Sequence, residues 1–149
     1  MSKDYFAHKA ADFDSNTARV DNVAAIAAAL QASIRLDRSM HLMDFGSGTG
    51  LLLERIAPLV GRITAVDVSE SMNRQLAEKL PRLGCPVDIR AVDVVATELD
   101  ERFDGIVSSM TLHHVEDVGA LFRRFRAMLK AGGFIALADL DSEDGSFHS

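Results

Sequence analysis

The residues best suited to bind a ligand are three glycines at alternate positions, Gly46, Gly48 and Gly50. The apolar segment before them predicts a buried strand, and the segment that starts at Leu51 predicts a helix. Glycine has no Cβ, so the chain can turn sharply and a ligand can lie against the backbone. The first N–H groups of a helix are also free to donate. This strand–loop–helix junction therefore predicts a small-molecule cofactor site at the carboxyl end of a strand.

A second group with chemical potential is the adjacent pair His113 and His114. Histidine can act as a general base near neutral pH, and it can also bind a metal ion. Adjacent histidines lack the spacing of a zinc motif, so we predict no metal site. Packing within a loop and contact with a substrate both stay open as roles for this pair.

Strands and helices alternate along the chain, and this order indicates how those residues are positioned. Apolar residues at helical spacing predict helices over 18–36, 51–59, 69–80 and 117–130. Short apolar and β-branched runs predict strands over 40–45, 62–66, 87–91, 103–108 and 134–140. Such alternation is typical of βαβ units, so we expect an α/β fold with a parallel sheet.

Size and composition limit the classes of protein that are compatible with this chain. Its 149 residues fit a single domain, 1–149, and its net charge is −6 without a basic stripe. We therefore expect no nucleic-acid partner. The single cysteine rules out an internal disulfide and fits the reducing cytoplasm. The sequence shows no signal peptide or membrane span, so we expect a cytoplasmic protein without a membrane partner.

Four segments in the same order resemble the class I S-adenosylmethionine-dependent methyltransferases, in the group related to quinone-biosynthesis methyltransferases. The matching segments are DFGSGTG (44–50), VDVSESM (66–72), AVDV (91–94), and the stretch from FDGIVSSM to IALADL (103–140). The resemblance implies a doubly wound, Rossmann-like, mostly parallel sheet with strand order 3-2-1-4-5. It also implies methyl transfer from S-adenosyl-L-methionine to a small-molecule acceptor, with S-adenosyl-L-homocysteine as product. Whether the acceptor atom is carbon, nitrogen or oxygen stays open.

The resemblance also assigns roles to particular carboxylates. Asp44 would accept from the ammonium group of the cofactor. Asp67, which is 21 positions after Gly46, would accept from the ribose hydroxyls, and Asp93 from the adenine amino group. Each has an alternative: Asp44 could brace the glycine loop, Asp67 could cap the next helix, and Asp93 could belong to an ordinary turn. The implied cofactor-binding residues are Asp44, Phe45, Gly46, Ser47, Gly48, Gly50, Asp67, Val68, Met72, Asp93, Val94, Ser109 and Met110.

Within that set, Val68 and Met72 would flank the adenine, and the N–H of Val94 would donate to a ring nitrogen. Ser109 and Met110 would leave the fourth strand beside the sulfonium. His113 or His114 is the predicted general base, if the reaction uses one. The segment 1–17 is a candidate lid, since the segment before the first helix covers the pocket in similar enzymes.

One departure from the family concerns the carboxyl-terminal part of the sheet. The family usually adds an antiparallel hairpin after the fifth strand, whereas this chain ends nine residues after Leu140. We therefore expect the hairpin to be absent and the edge of the fifth strand to be apolar and exposed. We expect that edge to pair with a second copy, giving a homodimer, or to be covered by the N- or C-terminal segment.

Two other functions compete with the methyltransferase interpretation. A short carboxyl terminus favours a non-catalytic S-adenosylmethionine-binding module or a truncated fragment. An NAD-dependent oxidoreductase would also use an acidic residue such as Asp67. Leu51, however, occupies the position that would complete the GxGxxG pattern, and no second domain is available to hold a hydride acceptor.

Overall fold

A computed structural model describes residues 17–109 and 115–138 and the backbone of 147–148, with side chains from residue 21 onward. Four helices are present in this part of the chain: α1 (Thr17–Ser33), α2 (Leu51–Ile56), α3 (Glu70–Lys79) and α4 (Val118–Met128). Six strands accompany them: β1 (His41–Phe45), β2 (Arg62–Val66), β3 (Val87–Arg90), β4 (Phe103–Ser108), β5 (Leu129–Ala138) and β6 (Phe147–His148). Short 3₁₀ turns, Ala57–Leu59 and Leu80–Arg82, extend α2 and α3.

The strands form one sheet in the order β3-β2-β1-β4-β5-β6, which confirms the predicted order 3-2-1-4-5. The first five strands are parallel, and β1 lies between β2 and β4. Parallel strands place all their carboxyl ends at one edge of the sheet. The loops that follow β1, β2, β3 and β4 therefore emerge on the same side of the molecule.

Side chains alternate between the two faces of β1, and a separate core covers each face. Leu42 packs with residues of α1 and α2, including Ile26 and Leu53, on one face. Met43 packs with residues of α4, including Phe125, on the other face. Helices on both faces explain why the central strands are apolar almost throughout, as expected for a buried parallel sheet.

The junction between α4 and β5 differs from the sequence prediction. We predicted a helix to residue 130 and a strand from 134, but α4 ends at Met128 and the strand starts at Leu129. Leu129 has extended backbone angles and pairs with Phe103, and the register then shifts before Gly105 pairs with Phe134. The extra residues on β5 form a bulge in the ladder, which periodicity in a sequence does not reveal.

Beyond β5, the antiparallel strand β6 was not predicted from the sequence. Its backbone pairs His148 with Leu137 and Phe147 with Ala138. A carboxyl-terminal segment thus covers the end of the β5 edge, as one of the two expectations for this edge required. Pairing with a second copy of the chain stays a prediction.

Two further expectations concern the amino-terminal segment and membranes. The candidate lid 1–17 lies outside the described residues, apart from the backbone of Thr17. Over 17–109 and 115–138, the helices lack the length and apolar character of a bilayer-crossing segment.

Gly105 of β4 and Phe134 of β5 are register partners in neighbouring strands. A Cβ added to Gly105 would lie 2.2 Å from Cζ of Phe134, and Gly105 is buried. We expect Gly105→Ala to lower the free energy of unfolding by about 1–3 kcal/mol, because overpacking forces neighbouring groups to move. Urea denaturation of the two proteins measures the difference.

The double variant Gly105→Ala/Phe134→Leu is the matched control for this effect. Leucine removes the ring that causes the clash, so the two substitutions together should cost less than the sum of their separate costs. Additive costs would show that the ring does not limit the space at Gly105.

Candidate active site

The candidate site lies at the carboxyl ends of the strands, where the predicted residues come together. The glycine loop follows β1, and Asp67 and Val68 follow β2. The amide of Gly46 donates to the carbonyl of Val66 at 2.7 Å, and the amide of Ser47 donates to the same carbonyl at 3.1 Å. The loop after β1 is therefore fixed on the end of β2.

The three glycines of this loop have backbone conformations that other residues rarely adopt. Their φ angles are 70° at Gly46, 58° at Gly48 and 91° at Gly50. A Cβ on Gly50 would lie 2.5 Å from Cδ1 of Leu76, whereas a Cβ on Gly48 would meet nothing within 4 Å. Gly50 is thus needed for packing against α3, and Gly48 borders open space in which a ligand can approach the backbone.

Asp67 connects the loop to the start of α3. Its Oδ2 accepts from the amide of Gly48 at 2.9 Å, and its Oδ1 accepts from the amide of Ser69 at 2.8 Å. Burial raises the pKa of Asp67, and these two backbone hydrogen bonds act in the opposite direction. Each carboxylate oxygen has a second lone pair, so Asp67 can brace the loop and still accept from hydroxyl groups of a ligand.

Asp44 is the residue of this site whose environment is least favourable to its ordinary charged state. It lies in β1 with 1% of its surface exposed, and neither carboxyl oxygen has a hydrogen-bond partner in the described part of the chain. Burial, with a smaller contribution from the charge of Asp67, raises the pKa of Asp44 to about 8. A buried acceptor without a donor is costly, so this position suits a ligand that brings donors and positive charge.

The residues predicted to surround an adenine differ in exposure. Val68 is 46% exposed, which is high for a large apolar side chain. Met72 and Val94 are 3% and 0% exposed, so any contact that their side chains make with a ligand is small. Val68 is therefore the residue of this group that can offer an apolar surface.

Asp93 forms a local turn after β3. Its Oδ1 accepts from the amide of Val95 at 3.0 Å, and its backbone carbonyl accepts from the amides of Ala96 and Thr97. The side chain of Asp93 is exposed. The turn leaves its second carboxylate oxygen accessible, so the turn and the predicted ligand contact are compatible.

Two other predicted residues, Phe45 and Ser109, lie at the ends of β1 and β4. The ring of Phe45 packs edge-on against Phe125, with 5.3 Å between the centroids, so its side chain belongs to the core. Ser109 is half-buried directly after β4. Met110, His113 and His114 lie outside the described residues, so their roles stay predictions.

Sequence reasoning missed Asn73, a buried polar residue of α3 beside Asp67. Its Nδ2 donates to the backbone carbonyl of Asp67 at 2.8 Å. The available signal was an amide side chain next to Met72 and three residues before Leu76, at the spacing of the apolar face of a helix.

A comparison with protein families identifies the chain. The family described as "Methyltransferase domain" matches residues 43–137, which run from β1 to the end of β5. The chain belongs to this methyltransferase family. The match confirms the resemblance inferred from the four sequence segments.

Individual relatives of this methyltransferase domain agree with the family assignment. The chain is 34% identical over 108 residues to a ubiquinone biosynthesis O-methyltransferase of Nitrobacter winogradskyi. The aligned region covers 72% of this chain and 41% of that protein. It is 36% identical over 112 residues to the biotin biosynthesis bifunctional protein BioHC of Teredinibacter turnerae, covering 68% and 20%. The chain thus spans less than half the length of these relatives.

Among solved structures, the domain resembles DhpI in its complex with SAH. The TM-score is 0.77 at 21% identity, covering 97% of this chain and 74% of DhpI. This likeness supports the Rossmann-like methyltransferase fold.

Proposed function

We propose that this domain binds S-adenosyl-L-methionine and transfers its methyl group to a small-molecule acceptor, with S-adenosyl-L-homocysteine as product. The observation that carries the proposal is Asp44, a buried carboxyl with two unpartnered oxygens, next to a glycine loop and a second carboxylate. The ammonium group of the cofactor would supply the missing donors and the positive charge. The solved complexes of DhpI with SAH and with SAM support the same ligand.

The environment of Asp44 and the loop pattern argue against a nicotinamide dinucleotide. A pyrophosphate brings acceptors and no donor for the unpartnered oxygens of Asp44, whereas an ammonium group brings donors. A GxGxG loop before a helix of only six residues, α2, differs from the GxGxxG pattern of dinucleotide sites.

In this proposal each part of the site has a binding role. Gly46, Gly48 and Gly50 let the methionine and ribose lie against the loop. Asp67 accepts from the ribose hydroxyls while it holds the Gly48 amide. Val68 offers its exposed side chain to the adenine.

The chemistry itself needs little help from protein side chains. When bound, the cofactor supplies an electrophilic methyl group on a positively charged sulfur. The protein aligns donor and acceptor and excludes water from the reacting atoms. We propose Ser109 and Met110 beside the sulfur, because Ser109 follows β4 on the side of the sheet that holds the glycine loop and Met110 is the next residue in the sequence. Phe45, Ser47, Met72, Asp93 and Val94 complete the proposed cofactor-binding set.

A calorimetric titration of the chain with S-adenosyl-L-methionine, S-adenosyl-L-homocysteine and NAD tests the proposal. We expect both adenosyl ligands to bind and NAD not to bind. Binding of NAD alone, or of none of the three, would overturn it. A panel of carbon, nitrogen and oxygen nucleophiles, followed by release of S-adenosyl-L-homocysteine, then identifies the acceptor atom.

Gly48→Ala is a direct test of the glycine loop. Alanine would be strained at a φ of 58°, and its Cβ would enter the open space that the ligand is proposed to use. We expect affinity for S-adenosyl-L-homocysteine to fall by roughly 10- to 100-fold, the cost of about two lost or strained contacts. Calorimetry gives the dissociation constants.

Gly132→Ala is a matched control for that variant. Gly132 has a φ of 80° and open space around its Cβ, but it lies near the start of β5, at the opposite edge of the sheet. It should lose a similar amount of stability, about 1–2 kcal/mol, without a change in affinity. Equal affinity of the two variants would contradict the proposed ligand position.

We propose His113 or His114 as a general base for acceptors that must lose a proton. The double variant His113→Asn/His114→Asn should then lower kcat while the affinity for S-adenosyl-L-homocysteine is unchanged. If the double variant kept its kcat with an acceptor that reacts through a hydroxyl group, neither His113 nor His114 would be the general base.

A further inference from the structure

Asn73 has an arrangement that packing of α3 alone does not explain. It is 9% exposed, and its side-chain Nδ2 donates to the backbone carbonyl of Asp67 at 2.8 Å. A carbonyl oxygen can only accept, so the amide group that faces Asp67 must be the NH₂ group. The other side-chain atom, Oδ1, is buried without a hydrogen-bond partner in the described part of the chain.

The bond from Asn73 is formed where the hydrogen bonds of the sheet end. The amide of Asp67 still donates to the carbonyl of Arg90 in β3, at 3.2 Å. The carbonyl of Asp67 lies one step beyond β2 and is satisfied by Asn73 instead. Asn73 therefore fixes the peptide group that follows Asp67, whereas β3 fixes the one before it.

The carboxylate of Asp67 accepts from two backbone amides, one in the glycine loop and one at the start of α3. Gly48 donates to one oxygen and Ser69 donates to the other. Asn73 also anchors this region through its own backbone, because its amide donates to the carbonyl of Ser69 at 3.0 Å. A rotation of the Asp67–Val68 peptide would move the carboxylate relative to the glycine loop, and the Asn73 side chain opposes that rotation.

The NH₂ group is what distinguishes asparagine from a leucine of similar shape in the apolar face of α3. A leucine would avoid the cost of the unpartnered Oδ1 but would take this donor away from the Asp67 carbonyl. The contact with Asp67 is therefore the contribution that asparagine makes at this position.

We propose that Asn73 is a positioning residue, which holds the Asp67 carboxylate at the place where it accepts from the ribose hydroxyls of the cofactor. This inference rests on the proposed function. It predicts that Asn73 affects the part of the affinity that depends on the ribose hydroxyls and leaves the rest unchanged.

The test compares S-adenosyl-L-homocysteine with its 2′-deoxy and 3′-deoxy forms on the wild-type chain and on Asn73→Leu. We expect the wild type to prefer the complete ribose by about tenfold or more, because the removed hydroxyl donated to a charged acceptor. In Asn73→Leu this preference should fall to about twofold, because both hydroxyls lose a well-placed acceptor. Each deoxy form keeps one hydroxyl and should weaken by about tenfold, and the complete ligand should weaken by more.

A purely structural role would give a different result. Asn73→Leu would then weaken all three ligands by the same factor and keep the preference for the complete ribose, and this outcome would overturn the inference. Failure of the wild type to bind S-adenosyl-L-homocysteine would instead overturn the proposed function and the inference together.

Two further variants make the result independent of stability. Asn73→Ser is small enough to be accommodated and cannot reach the Asp67 carbonyl, so it should lose the same preference even if Asn73→Leu does not fold. Lys79 lies in α3, as Asn73 does, and its Nζ forms an ion pair with Oε2 of Glu54 in α2 at 2.9 Å. The control variant Lys79→Met breaks this ion pair. It should lower Tm but retain the ribose preference, and loss of that preference in Lys79→Met would contradict the inference.

Discussion

Replacement of Asp67 by alanine should weaken S-adenosyl-L-homocysteine binding by about 100- to 10,000-fold. Two bonds from ribose hydroxyls to a charged acceptor are worth about 1.5–3 kcal/mol each, and the variant also releases the Gly48 amide that shapes the loop. Calorimetric dissociation constants for the wild type and Asp67→Ala give the size of the effect.

Asp88→Asn is the control for a general effect of charge. Asp88 is the acidic residue of β3, the strand next to β2. Its carboxylate pairs with Arg62 near the amino ends of these strands, away from the candidate site. Its replacement should leave the affinity within about twofold of the wild type. If Asp67→Ala bound as tightly as the wild type while folded, Asp67 would only hold the Gly48 and Ser69 amides, and its proposed role at the ribose would be wrong.

The stability of the ligand-free protein should fall as pH rises from about 4 to about 8, and Asp44→Asn should remove most of this dependence. The pKa of Asp44 is raised from 3.8 to about 8 in the folded state, so the folded chain binds more protons than the unfolded chain between these values. Its contribution is fully present below pH 4 and is lost as pH rises through 8. A shift of this size corresponds to about 6 kcal/mol.

Urea denaturation at intervals between pH 4 and pH 9 measures the effect as a difference in slope between the two proteins. The difference removes the contribution of His41, whose lowered pKa acts in the opposite direction, and of Asp67, whose raised pKa acts in the same direction. Asparagine brings a pH-independent cost of its own, so the slope is the informative quantity. Parallel curves for the wild type and Asp44→Asn would show that the Asp44 carboxyl ionises near its ordinary pKa in the folded protein.

The sequence was sufficient to predict the elements of the fold and their order, because period and composition report burial directly. The apolar runs predicted β4 with the bounds that the structure shows, and the predicted helix starts at 69 and 117 coincide with the N-caps Ser69 and Asp117. The extended start of β5 was missed because Leu129 continues the apolar period of α4. Its strand conformation comes from pairing with Phe103, a contact between distant parts of the chain.

For the site, sequence patterns predicted which residues would gather but not how they would share their hydrogen bonds. Ser69, not Asp67, caps α3. The two oxygens of Asp67 accept from Ser69 and Gly48 and keep capacity for a ribose, so a structural role and a ribose role are compatible. The donor-free state of Asp44 and the contact between Asn73 and Asp67 depend on three-dimensional packing, although the position of Asn73 on the apolar face of α3 indicated its burial.

The strand order has a consequence for the chain while it is being synthesised. The ribosome makes β1 first, and β2 and β3 follow soon on one side of it, but its partner on the other side, β4, is about 60 residues later. At a synthesis rate of about 5–20 residues per second, the second edge of β1 is without its strand partner for roughly 3–12 s. During this interval a short apolar strand is available to other growing chains, so slow decoding before β4 should promote aggregation of the nascent protein.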